Sequence, residues 1–502
     1  MPAAQHSSAS EAVAVSRHDV IVVGAGMAGL SAALGLAAAG RSVLVIDALG
    51  EPGGKMGNVV VDGVEFDTGP SVLTLPEVVD AVLERARSAR RVRLVRPAPA
   101  FRYHFPSGKV LDVFVNVDET LASVRDALGA PAADELRAFL RYARRIWDAS
   151  KDAFVFSSAP TLVSLVGLFL RRPRDLLAVD AWRSMADAVE ARICSPELRL
   201  LLLRYATYNG SNPYQAPATL HCIAHVELAL GGFGVAGGMA TLARTLVEAA
   251  RDLGVSFQME TPVRRLLHEN ARMVGVQTAH STHHATTVVV NADVAHLWET
   301  LLPTPRRAHK SSQPSMSGAT AVLRAARSAS RPAHAVLFPD DYRAEFEDIF
   351  ARGKSPRDPT VYLCAQEKAH ERVGWRDDEP VFCMVNAPPC DAPGEATGND
   401  DSAAALERGL ARARQAGLIR DSDAVVWQRS AADLARVFPG THGALYGASS
   451  NSRLSAFTRP PNVVASHAGL YLASGSVHPG GGVPLCLQSG LLAADAALAR
   501  GG

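Results

Sequence analysis

Three glycines in Gly24-Ala-Gly26-Met-Ala-Gly29 stand at the spacing that cradles a pyrophosphate. Gly24 permits a sharp turn, Gly26 lets a phosphate approach the backbone, and Gly29 lets a helix pack closely on a strand. Asp47, 18 residues after Gly29, is placed to accept hydrogen bonds from a ribose diol. A second glycine-rich turn lies at the far end of the chain, Gly475-Ser-Val-His478-Pro-Gly-Gly481-Gly482-Val483-Pro484. Its N–H groups open a helix, where Pro484 suits the first turn. Such donors suit an electron-rich ring edge or a sugar oxygen.

The elements that must hold these residues can be read around them. Asp19–Val23 reads as a buried parallel strand, Leu30–Ala39 as a helix capped by Gly40, and Ser42–Ile46 as a second strand. Val20–Gly40 carries no charge over 21 residues, but its five glycines and its β-branched front make it strand, turn and helix rather than a membrane span. Gly469–Leu472 with Leu485–Leu498 repeats the strand–turn–helix pattern. A third block lies between. Ala236-Gly237-Gly238-Met239 opens a helix, and strands are expected at Val255–Met259, Met273–Val276 and Val288–Val290. The cofactor domain is therefore expected to be assembled from discontinuous pieces.

Composition excludes several classes. Of 502 residues, 48% are hydrophobic and the net charge is +1, which rules out a disordered chain. No basic stripe points to nucleic acid. Six cysteines without a CxxC pair or zinc spacing read as reduced thiols, and no metal site is expected. Residues 1–18 read as a flexible leader without a secretory signal. His221, His225 and Glu227 are the acid–base candidates of the middle region, but a histidine on an apolar helix is more often a core residue. The catalytic residue stays unassigned.

Gly53-Gly54-Lys55 after the strand-end acid, then Asp67-Thr-Gly69-Pro70, resembles the flavin-containing amine oxidase and carotenoid desaturase superfamily. The resemblance implies FAD as cofactor. It places Gly54 and Lys55 near the ribose or phosphates, Gly69 and Pro70 near the flavin ring, and the backbone of Val263 against adenine. Gly475, His478, Gly481, Gly482 and Val483 would form the C-terminal flavin loop. Relatives usually carry Arg where this chain has Lys55, which keeps the charge but not the planar fork. The implied fold is α/β, a Rossmann-like FAD domain with a discontinuous substrate domain of mixed sheet plus helices. Its segments would run 19–110, 234–305 and 462–502 for FAD, and 111–233 and 306–461 for substrate.

His478-Pro-Gly-Gly-Gly-Val-Pro484, together with Tyr205-Ala-Thr-Tyr208, Asn212-Pro-Tyr214, Asn291-Ala-Asp293 and Asn386-Ala-Pro388, resembles the bacterial carotenoid desaturases. Gly53-Gly54-Lys55-Met56 and Val483-Pro484-Leu485-Cys486 resemble the hydroxycarotenoid 3,4-desaturases within them. That likeness implies a double bond introduced at C-3,4 of an acyclic 1-hydroxycarotenoid. Phytoene or neurosporene desaturation is the alternative. An amine or protoporphyrinogen oxidase, or a Rab escort-like binding protein, is more remote. A C40 carotenoid is insoluble, so a cytoplasmic enzyme would meet it at a membrane surface. Leu162–Leu170 followed by Arg171-Arg-Pro-Arg174 could lie at such an interface or be a buried helix. Without a second nucleotide motif, oxygen or a quinone is the expected electron acceptor.

Overall fold

The computed structural model describes residues 14–160, 175, 178–302, 313–390, 401–452 and 459–500. A five-stranded parallel sheet carries the first glycine turn. Its order is Ser256–Gln258, Val43–Ile46, Val20–Val23, Thr287–Val290 and Leu470–Leu472. These strands come from three distant parts of the chain. Val20–Val23 and Val43–Ile46 are buried at every residue, as an apolar run covered on both faces requires.

One face is covered by the helices Met27–Ala38, Ala240–Asp252 and Val483–Arg500. Met27–Ala38 is apolar on all sides and buried over its first eleven residues. It meets Val483–Arg500 at very short range. A Cβ on Gly490 would lie 2.3 Å from the Ala28 carbonyl oxygen, and Ser31 Oγ donates to Leu487 O at 2.7 Å. The opposite face is covered by a small sheet containing Arg265–Glu269, Arg272–Gln277 and Ser281–His284, whose Leu266, Met273 and Val276 pack on Ile21 and Ile46. Residues 14–17, expected within the leader, instead form a strand of that sheet, paired in parallel with Ser281–His284. Residues 1–13, like Leu162–Leu170 and Arg171–Arg174, lie outside the described residues.

A seven-stranded sheet runs Ala424–Arg429, Ser317–Ala326, Asp378–Ala387, Val361–Ala365, His334–Leu337, Phe101–His104 and Val110–Val113. All its neighbours are antiparallel except His334–Leu337 with Phe101–His104. The Phe101–Val113 hairpin therefore lies across the expected boundary at residue 110, wholly within this sheet. Helix Ser402–Gln415 covers one face. Tyr103, Phe101 and Phe338 join the other face to a helical layer that includes Ala130–Phe154 and Pro196–Leu203.

Asp67 joins the two regions. Its carboxylate accepts from Met239 N at 2.7 Å and Ala240 N at 3.1 Å, which satisfies the first donors of helix Ala240–Asp252. Arg372 Nη2 donates to the same carboxylate at 2.7 Å, and both side chains are almost wholly buried. Gln366 closes the knot, accepting from Asp67 N at 2.9 Å and donating to Asp67 O at 2.8 Å. Gly238 is obligatory here, since a Cβ would fall 2.1 Å from Arg372 Nη2. Removing one partner of a buried pair leaves the other charge uncompensated. Arg372→Met is expected to cost roughly 3–5 kcal/mol, measured as a lower urea midpoint than wild type, with Arg372→Lys intermediate.

Candidate functional site

Gly24, Gly26, Asp47, Gly54, Lys55, Gly69, Pro70, Val263, Gly475, His478, Gly481, Gly482 and Val483 all line one cavity of about 1020 Å³. Gly29 is the exception among the expected site residues. It lies behind the cavity, where a Cβ would fall 2.1 Å from Gly24 O, so its task is close packing.

At the nucleotide side, the strands Val20–Val23 and Val43–Ile46 deliver the turn and the acid. Helix Met27–Ala38 begins at Gly26 with no side-chain cap and no acidic residue in its first turn. Its first N–H groups, with the positive end of the helix dipole, therefore suit a phosphate. A Cβ on Gly26 would lie 2.6 Å from Asn291 Oδ1. Asn291 is itself tied down, donating from Nδ2 to Ala473 O at 2.6 Å. Asp47 accepts from Ala25 N at 2.5 Å and Leu49 N at 2.7 Å, so it orders the turn while facing the cavity. Burial pushes its carboxyl up, against the pull of those backbone donors. An uncapped helix start, a bare glycine surface and a strand-end carboxylate fit a dinucleotide.

Lys55 reaches the C-terminal part of the chain. Its Nζ donates to Ala444 O at 2.9 Å and Leu445 O at 3.0 Å. Burial pulls the ammonium down, and Asp293 pushes it back up. The C-terminal loop is held by two residues that no spacing rule marks. Asn462 Nδ2 donates to Leu472 O at 3.0 Å and His478 O at 3.1 Å. Arg459 donates to Gly475 O and Ala448 O, both at 3.1 Å, and burial pulls its guanidinium down to about 10. His478 Nε2 lies 2.9 Å from Ser157 O, which orients the ring by a backbone contact.

The remaining wall comes from the helical layer. Trp147, Val155, Leu220, Ile223 and Val226 make it apolar. His221 and His225 do not line the cavity. His221 bonds to Met185 O at 3.0 Å, packs edge-on to Phe139, and is pulled by burial to about 4, as a neutral core residue. Glu227 is also behind the wall, but it acts on it. It accepts from Tyr205 Oη at 3.0 Å and from Tyr208 Oη, and pairs with Arg204 Nη1 at 3.9 Å. Arg204 and Tyr208 do face the cavity. Sequence reading singled out Tyr205 and Tyr208 only as a likeness; Arg204 carried no signal.

Glu345 sits one layer outside the cavity. It accepts from Thr360 N at 3.2 Å, from Thr360 Oγ1 and from Asn386 Nδ2 at 2.9 Å, and both partners line the wall. Burial outweighs these donors and pushes its carboxyl from 4.5 up to about 7. A carboxyl raised in the folded state binds more protons folded than unfolded. Its presence then costs nothing below pH 4.5, and costs progressively more as pH rises to about 7. Relative to wild type, Glu345→Gln should therefore gain stability between pH 5 and pH 8, with a ceiling of roughly 3 kcal/mol. Melting temperatures of both proteins at the two pH values check this.

A family model described as flavin containing amine oxidoreductase matches residues 27–363. A hydroxyneurosporene desaturase of Rubrivivax gelatinosus is 37% identical over 503 residues, covering 96% of this chain and 94% of the relative. A 1-hydroxycarotenoid 3,4-desaturase of a Flavobacterium species is 29% identical over 486 residues, covering 95% and 98%. Among solved structures, an oxidoreductase from Methanosarcina mazei shares the fold, with a TM-score of 0.61 at 17% identity over 94% of this chain and 98% of that one.

Proposed function

The chain belongs to the flavin containing amine oxidoreductases and, within them, to the carotenoid desaturases; from that membership we propose that it introduces a C-3,4 double bond into an acyclic 1-hydroxycarotenoid. It is an FAD-dependent oxidoreductase. We assign the pyrophosphate to Gly24, Gly26 and the first turn of helix Met27–Ala38, the ribose to Asp47, and adenine to the backbone of Val263. Gly54, Lys55, Gly69, Pro70 and the Gly475–Val483 loop surround the rest. The observation that carries the reading is one continuous cavity shared by both glycine turns and the apolar wall.

Bound FAD supplies the two-electron acceptor for a hydride leaving one carbon, while a proton leaves its neighbour. The chain's own groups do the rest. Trp147, Val155, Leu220, Ile223 and Val226 bury the polyene and keep water from it. The half-buried Arg459 and the buried Asn462 hold the C-terminal loop in shape before substrate arrives, which favours a fixed alignment of the reacting bond. Oxygen or a quinone takes the electrons afterwards.

Incubating the FAD-loaded protein with 1-hydroxyneurosporene and with phytoene tests the substrate. Expected is a product of the hydroxylated substrate with two hydrogens fewer, and no phytoene conversion. Conversion of phytoene alone would favour the alternative desaturation.

Among the described residues no helix is long and apolar enough to cross a membrane. Trp182 is 69% exposed and follows Ala181, which lines the cavity with Val179. An exposed indole next to residues of the cavity wall suits the head-group region of a bilayer. On this ground we propose that the protein meets its substrate at a membrane surface. Flotation with liposomes should show Trp182→Glu reducing the bound fraction severalfold; equal flotation would remove this residue from membrane contact.

A further inference from the structure

Building on the 1-hydroxycarotenoid reading, we propose that Arg204, held by Glu227 and Tyr208, is the specificity-determining donor that receives the substrate's C-1 oxygen. The hydroxyl of such a substrate is two carbons from C-3. Whatever binds it must therefore stand beside the place where hydride leaves, within a wall that is otherwise made for hydrocarbon.

Arg204 stands there by its neighbours. The turn that follows it packs on Tyr446, since a Cβ on Gly210 would lie 2.8 Å from Tyr446 Cδ2. Tyr446 packs on the C-terminal loop in the same way, 2.8 Å from a Cβ on Gly481. On its other side the guanidinium lies over Phe101 at 5.4 Å, and Phe101 stacks on His334 at 4.8 Å. His334 Nδ1 is 2.8 Å from the hydroxyl of Tyr362, which lines the cavity. Glu227 directly follows Val226, a residue of the apolar wall. The carboxylate of the ion pair thus shares a helical turn with one residue of the hydrocarbon surface, while Arg204 opens a separate segment, Arg204–Asn209.

The donor inventory supports the role. Arg204 is 8% exposed and lines the cavity. Its Nη1 donates to Tyr103 Oη at 3.0 Å and Tyr208 Oη at 3.4 Å. Among the described residues, its Nε and Nη2 have no hydrogen-bond partner. Of the other cations at the inner wall, Lys55 and Arg459 donate to backbone carbonyls, and Arg429 Nη2 donates to Thr68 O at 2.8 Å while its Nε is buried without a partner among the described residues. Arginine cannot deprotonate and only donates, so it suits the lone pairs of an alcohol oxygen. A desolvated donor left unmatched by a hydroxyl-free substrate rejects it, and so provides discrimination.

The test compares kcat/KM for 1-hydroxyneurosporene and neurosporene in wild type, Arg204→Lys and Tyr208→Phe. Flavin absorbance and melting temperature monitor folding. Both variants should lose preference for the hydroxylated substrate, roughly ten- to a hundredfold for Arg204→Lys, while neurosporene turnover does not fall in parallel. Flavin-loaded variants that keep the wild-type preference overturn the assignment of Arg204 and leave the substrate reading intact. A wild type that does not prefer the hydroxylated substrate overturns both. If Arg204→Lys fails to retain flavin, Tyr208→Phe, which removes one oxygen, decides alone.

Discussion

The close approach of helix Met27–Ala38 to helix Val483–Arg500 is the contact on which the rest of the molecule depends. These helices lie at opposite ends of the chain, and each opens at a glycine turn that lines the cavity. Their separation is set by small residues. Gly490 rests against the Ala28 carbonyl, Gly35 faces Ala494, and Ser31 gives its hydroxyl to Leu487 O. Larger side chains would hold the helices apart and with them the two turns. The parallel sheet beneath repeats the arrangement, since Thr287–Val290 pairs with Val20–Val23 on one side and Leu470–Leu472 on the other. Ends and middle of the chain are thus zipped into one floor for the site.

Burying charge beside an apolar cavity is costly, and the molecule handles each case by a different device. Asp67 is matched by Arg372 and two helix-start N–H groups. Among the described residues Arg459 has no carboxylate bonded to it and is held instead by backbone carbonyls, which solvate the cation while fixing the loop they belong to. Lys55 is treated similarly. Arg204 is set among aromatic faces and tied to Glu227. A cation over aromatic rings is attracted by their quadrupoles, more strongly when water is excluded. The polar wall residues are thereby rigid, which favours recognition by pre-formed geometry.

The glycine turns, Asp47 and the strands around them were legible because their signals are local. A phosphate needs bare backbone at a helix start, and only certain residues at fixed offsets provide it. The ends of elements were less legible. The first strand begins at Ala14 inside what reads as a leader, because Ala-Val-Ser-Arg has no pattern of its own and is recruited by Ser281–His284. Asp67 illustrates a different limit. Its place in Asp67-Thr-Gly69-Pro70 drew attention to the cofactor, yet its carboxylate is occupied with the start of a helix more than 170 residues later.

By itself, the order of amino acids determined that glycine turns suited to a dinucleotide lie at both ends of the chain, since hydrogen-bonding geometry at a turn is set within a few residues. It also determined the central parallel strands, through β-branched runs such as Val20–Val23 and Thr287–Val290. What only the tertiary structure decided is which side chains share the cavity. His221 and Glu227 stand six residues apart, yet one is a neutral core ring against Phe139 and the other charges the wall through Tyr208 and Arg204. Titratable groups take their roles from dielectric and partners, and those are supplied by segments brought together across the fold rather than by neighbours in the chain.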